Sequence, residues 1–221
     1  GATIGYIDIP APLFEPYSPM RYDLANSLVW VQGSTKLWKV NAITGAYVSE
    51  ITVGAAFTQI FVNPNDGTLW VTTVDSGTGI YSKLTNISAV DGSVITTYDV
   101  GAYIFDVSFD ASNDIVWATT GLTISDPNSG KLFRIYKPTG LVSSYTLASG
   151  SLSFMAYDPD RNSVWIKTGG YVGTTIEFDI ATLAVTNTYA LSAGGATTQY
   201  ARMVYDPLCK VLYFTNDVNN T

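Results

Sequence analysis

Seven side chains in this 221-residue chain have the types and placing to recognise a ligand: Arg21, Gln59, Tyr103, Asp106, Phe154, Tyr200 and Arg202. They supply one carboxylate, two guanidinium groups, an amide and three rings, and Phe57 and Phe105 add further flat apolar surface. Rings flanked by amides and charges suit sugars, whose apolar faces stack while their hydroxyls find hydrogen-bond partners. The same set suits a protein partner, because Tyr and Arg anchor many interfaces. These seven are the candidate binding residues, with glycan and protein both open as partners.

Catalysis fits the composition poorly. The chain has no histidine, which excludes Ser-His-Asp and Cys-His nucleophile systems and any His-ligated metal site within it. Glutamate occurs only as Glu15, Glu50 and Glu177. A sialidase-like site needs a cluster of arginines, yet Arg134 falls on a third strand and Arg161 in a turn, leaving only Arg21 and Arg202 on first strands. A glycosidase needs two facing carboxylates, and Asp106 has no partner at its place in the pattern. A metal-dependent lactonase cage lacks its Glu. The expectation is a non-enzymatic protein with no cofactor and no metal site. Asp158-x-Asp160-x-Asn162 resembles the start of a calcium loop, but Gly169 stands where the twelfth-place Glu belongs. Cys209 is the single cysteine, so no intrachain disulfide forms, and only Lys210 beside it would make its thiol acidic. Asn86-Ile87-Ser88 fits the N-glycosylation acceptor pattern.

A repeat positions these residues. Trp30, Trp70, Trp117, Trp165 and Tyr213 are spaced 40, 47, 48 and 48 residues apart. Each lies seven residues after an Asp or Asn: Asp23, Asn63, Asp110, Asp158 and Asp206. Around each pair run short segments rich in Val, Ile, Thr, Tyr and Trp, separated by Gly/Asn/Asp turns. In the second unit they are 59–63, 68–73, 80–84 and 94–100. Such runs are antiparallel hairpins in series, and four per unit make the blade of a β-propeller. The large aromatic is expected in the packing between blades, and the Asp/Asn as the cap of an Asx-type turn.

The prediction is an all-β chain forming one β-propeller domain over residues 1–221, with four-stranded antiparallel blades and about five of them. The units span 18–53, 57–100, 104–147, 152–191 and 201–216, the last closed by an N-terminal strand over 3–9. That closing blade lacks a third strand. Either it is three-stranded, or the chain continues past Thr221. Four residues before each turn Asp/Asn stand Pro19, Gln59, Asp106, Phe154 and Arg202, where the repeats disagree. The connections between second and third strands, at 32–35, 74–79, 121–130 and 169–174, vary too. Variable loops on a rigid scaffold are where recognition usually lives, so this end of the blades is the expected binding face.

The repeated Asp/Asn-Pro turn (Asn63-Pro64, Asp158-Pro159, Asp206-Pro207) and the later Thr/Asp-Gly turn (Thr44-Gly45, Asp91-Gly92, Thr139-Gly140) resemble the YVTN and quinoprotein-like propeller repeats. The resemblance covers nearly the whole chain but only its scaffold. It implies seven-bladed relatives, often extracellular or periplasmic surface-layer and binding proteins; this chain is short for seven blades. No position here matches the quinone-cofactor ligands of enzymatic relatives. A net charge of −7 argues against a nucleic-acid partner, which requires a basic stripe. No apolar run is long enough to span a membrane, and the N-terminus lacks the basic and apolar regions of a signal peptide. Low charge and abundant Ser, Thr, Asn, Gly and Tyr suit an extracellular, cell-surface or virion-surface location. There the protein acts as a binding module or assembles into a larger particle such as a phage tail, capsid decoration or surface layer.

Overall fold

Each alternating run pairs with the next across a tight turn, giving antiparallel sheets with simple up-and-down order. The structure, a computed structural model, describes residues 20–33, 35–53, 57–74, 77, 79–121, 128–148, 150–168, 174–190 and 203–214. The chain divides into two compact units, Gly1–Val100 and Gly101–Thr221. In the first, β1 (Met20–Asp23), β2 (Leu28–Gln32), β3 (Lys36–Asn41) and β4 (Tyr47–Thr52) form one sheet. A second sheet there contains β5 (Phe57–Val62), β6 (Leu69–Thr73), β7 (Lys83–Ile87) and β8 (Val94–Asp99). The second unit opens with β9 (Ile104–Asp110), β10 (Ile115–Thr120), β11 (Lys131–Tyr136) and β12 (Leu141–Thr146). It continues with β13 (Leu152–Asp158), β14 (Ser163–Thr168), β15 (Thr174–Asp179) and β16 (Ala184–Ala190), then the pair β17 (Met203–Asp206) and β18 (Val211–Phe214). The described residues thus hold four four-stranded sheets and one two-stranded sheet.

The seven-residue spacing has a direct cause. Asp23 pairs with Leu28 across the first turn, which leaves Trp30 two residues further along on the same face. Asp23 Oδ1 accepts the Asn26 backbone N–H at 3.1 Å, and Oδ2 accepts the Trp30 indole N–H at 3.4 Å. Asp158 repeats this, accepting Asp160 N at 3.0 Å, Arg161 N at 3.1 Å and Trp165 Nε1 at 3.2 Å. In these two repeats the expected Asx cap is also a clamp on the indole. The fourth residue after each turn Asp/Asn is left-handed: Ser27, Gly67, Asp114, Asn162 and Lys210, with φ of 52°, 66°, 53°, 51° and 56°. Only Gly67 takes that conformation without steric cost, and a Cβ there would meet the Asn26 amide at 2.5 Å.

Trp30, Trp70 and Trp117 are fully buried, as their place in the repeat predicts. In the first unit Trp30 and Leu37 join Phe57, Ile60, Leu69 and Ile87 in a core shared by the two sheets. In the second, Trp117 and Leu132 pack with Met155, Ile166 and Phe178, and the Trp117 and Phe178 rings meet edge-on at 5.9 Å. Each such ring removes on the order of 150–250 Å² from water. Two aromatic positions depart from the expectation: Trp165 is half-buried and Tyr213 is 51% exposed.

The third strand of the second repeat is Lys83–Ile87, not 80–84. Register decides this, because Leu69 pairs with Ile87 and Trp70 with Asn86, while Ser82 N turns back to Ile80 O at 2.9 Å. Asn86 is consequently buried at 5% exposure, so the acceptor pattern it heads is inaccessible in the folded chain. The fourth strand of the second repeat, Val94–Asp99, begins where its apolar run does. The N-terminal strand over 3–9 lies outside the described residues.

Candidate functional site

The first strands β5, β9 and β13 share a feature that no pattern of residue types announced. Each carries a β-bulge near its start: between Phe57 and Gln59, at Ile104–Asp106 opposite Thr119/Thr120, and between Leu152 and Met155. A bulge re-aims side chains and is common beside functional sites. The bulges fall on Thr58 and Gln59, on Phe105 and Asp106, and on Ser153 and Phe154, all half-buried. These are the positions at which the repeats differ.

In the second unit, β9 and β13 are stitched together here. Asp106 Oδ2 accepts the Met155 backbone N–H at 2.9 Å, and its Oδ1 accepts the Val107 N–H at 3.0 Å. Two residues along, Ser108 Oγ accepts the Tyr157 N–H at 3.2 Å. Phe105 and Phe154 meet edge-to-face with centroids 5.1 Å apart. Asp106 and Phe154 are thus brought onto neighbouring strands, with the Asp106 carboxylate engaged by backbone donors. Tyr103 precedes β9, half-buried, and its carbonyl accepts the Gly121 N–H at 3.0 Å.

Arg21, in the first unit, sits two residues deeper than the variable position. Its guanidinium lies over the Phe61 ring at 5.6 Å, on the same strand as Gln59. Tyr200 and Arg202, and Pro19, lie outside the described residues, as do 75–76, 78, 122–127 and 169–173 of the variable loops.

A second row of residues went unnoticed in the sequence. Two places after the repeat tryptophans stand Gln32, Thr72, Thr119 and Lys167, all buried. Gln32 Nε2 donates to Phe57 O at 3.3 Å, and Thr119 Oγ1 donates to Ser153 O at 2.7 Å, so both hold the start of the next first strand. Thr72 Oγ1 meets Thr58 Oγ1 at 3.0 Å. Burial pushes the Lys167 ammonium below its ordinary pKa. The signal was present: a polar residue two after each Trp, on the face that buries the ring.

At the opposite, turn end, the three oxygen-bearing residues of the calcium-like stretch serve the scaffold. Asp158 holds its turn and the Trp165 indole, and Asn162 is the left-handed residue. Asp160 accepts from the Tyr205 hydroxyl and pairs with Lys210 Nζ at 3.1 Å. The Asp206 carboxylate pushes the exposed Cys209 thiol above its ordinary value.

No family model matches the chain, and no curated protein matches it. Solved structures do. A chain of Kuenenia stuttgartiensis hydrazine synthase is similar over 96% of this chain and 59% of its own, with a TM-score of 0.73 and 15% identity. A chain of the mitotic checkpoint complex is similar over 91% and 57%, with a TM-score of 0.68 and 12% identity. Dihydro-heme d1 dehydrogenase NirN, in complex with DHE, is similar over 77% and 36%, with a TM-score of 0.59 and 11% identity. This chain spans less than two thirds of the length of each. At such identities the likeness speaks for the fold alone, and these neighbours are β-propeller proteins. The chain is built on a β-propeller scaffold of repeated four-stranded antiparallel sheets.

Proposed function

We propose that the chain is a non-enzymatic recognition module on an extracellular, cell or virion surface. In this reading its units form one propeller of about five blades, closed by residues 3–9 beside β17 and β18. It holds a glycan or protein partner at the bulged starts of its first strands. One observation carries the reading. The residues that the repeats share are engaged in scaffold bonds, whereas the bulges carry different half-buried side chains in each sheet, including the Phe105–Phe154 pair. A glycan array probed with the labelled protein and with F105A/F154A tests it. Defined glycans should bind the parent and not the double variant, while both keep the same circular dichroism. Equal signals from the two proteins would refute the reading.

A second reading, a subunit of a larger assembly, is favoured by the edge strands. β4, β8, β12 and β16 contain no Lys, Arg or Pro, and their only charges are Glu50 and Asp99. Val48, Val94, Ile95, Leu141 and Val142 on them are exposed. Soluble proteins usually blunt such edges with Lys, Pro or bulges, so edges of this kind suit coverage by a neighbour. Native mass measurement separates the readings: an assembly that S144K on β12 disperses supports the second, and a monomer refutes it.

A further inference from the structure

The turn end of the second unit places an arginine where other repeats carry charged residues with internal partners. Lys39, Asn86, Arg134 and Glu177 occupy one repeat position, each the cross-strand partner of its tryptophan, and Asn86 Oδ1 is buried without a hydrogen-bond partner among the described residues. Lys39 donates to Val90 O at 3.0 Å and lies over the Trp30 ring at 5.3 Å. Glu177 accepts from Asn187 Nδ2 at 2.7 Å, Ser163 Oγ at 3.3 Å and Arg161 Nη1 at 3.4 Å. Arg134 has no hydrogen-bond or ion-pair partner among the described residues, and its Nε is buried. Opposite it, the buried Trp117 indole N–H also lacks a hydrogen-bond partner among them. The Asp110 carboxylate takes Asn113 N at 3.2 Å and Asn113 Nδ2 at 2.8 Å.

Two neighbouring buried donors without acceptors are costly in a folded protein, and each calls for an explanation. Here Arg134 lines an open groove of about 580 Å³, together with Ser112, Asn113, Asp114, Tyr136 and Asn162. That volume is of the size that holds small-molecule ligands. Asp114 is balanced by Lys137 Nζ at 3.8 Å, which leaves the Arg134 charge uncompensated in a chain of net charge −7. A guanidinium matches a carboxylate with two parallel hydrogen bonds. The Ser and Asn side chains offer donors and acceptors to hydroxyls, and the exposed Tyr136 ring offers a flat face.

We propose that this groove binds a carboxylate-bearing sugar, a hexuronate, with Arg134 holding the carboxylate. The groove lies at the turn ends of β10 and β11, away from the bulged starts of β9 and β13, so binding here is independent of binding at Phe105 and Phe154. Calorimetric titration of the full chain with D-galacturonate, D-galactose and acetate tests it. Galacturonate should bind at least about tenfold more tightly than galactose or acetate, the ratio expected of one charge-assisted contact. R134Q should remove that preference, and S112W, which fills the groove from an exposed turn, should abolish binding. Galactose equal to galacturonate would overturn the proposal, as would acetate equal to galacturonate, which makes it a bare anion site. Unchanged binding in either folded variant, or no heat at about 10 mM galacturonate, would overturn it too.

Discussion

Replacing Asp158 tests whether the repeat's acid is a clamp or merely a turn residue. Its carboxylate is 4% exposed and accepts three N–H groups at 3.0, 3.1 and 3.2 Å. D158A strands all three donors. Two lie in a turn that water reaches, so each bond is worth about 1 kcal/mol net, and the total loss is about 3 kcal/mol. D158N keeps Oδ1 for the two turn amides but turns an amide NH₂ toward the Trp165 indole, so only that bond goes, at about 1 kcal/mol. Urea unfolding followed by tryptophan fluorescence and by circular dichroism reads the difference, with coincident curves checking a two-state analysis. At a slope of about 2 kcal/mol per molar urea, D158A lowers the midpoint by about 1.5 M and D158N by about 0.5 M. If D158N costs as much as D158A, the turn amides contribute nothing and the Asx account fails. If neither moves the midpoint, the clamp itself is refuted.

Three further outcomes follow from the same end of the strands. Ser27 is left-handed where the second repeat has Gly67, so S27G should raise the urea midpoint, stabilising by about 0.5–1 kcal/mol. The Tyr205 hydroxyl, then Lys210, hold the Asp160 carboxyl below its ordinary value of 3.8. Their contribution is therefore complete above 3.8 and lost as pH falls through the lowered value, and D160N should flatten the fall in urea midpoint between about pH 5 and pH 2. Asp206 keeps the Cys209 thiol protonated beyond its ordinary 9.0, so iodoacetamide should label it slowly at neutral pH, and D206N should shift the pH–rate midpoint downward.

What the sequence made legible was what hairpin geometry forces. A register that pairs Asp23 with Leu28 places an acid and an indole on one face at a fixed offset, so the Asp-to-Trp spacing survives every change in loop length. Strand edges were less legible because alternation does not set register: Asn86 is polar yet buried, and it moved β7 three residues past its apparent start. The bulges at Gln59, Asp106 and Phe154 left no trace in residue type, since a bulge is a property of two paired strands and not of either alone. For the same reason Asp106, read from sequence as a candidate binding residue, turned out to hold Met155 N of the next first strand.

Arg134 shows the converse. By type it read as an arginine on a third strand, remote from the variable end. Its meaning emerges only from comparison with its repeat-equivalents, because a charge becomes informative when Lys39 and Glu177 in the same place find internal partners and it does not. In a repeat protein the scaffold is its own control. A residue that leaves its hydrogen-bonding capacity unused, where its equivalents use theirs, is a stronger pointer to a ligand than one that merely differs in type. Variation at Gln59, Asp106 and Phe154 meets only the weaker standard. Arg134, set against Lys39 and Glu177, meets the stronger one.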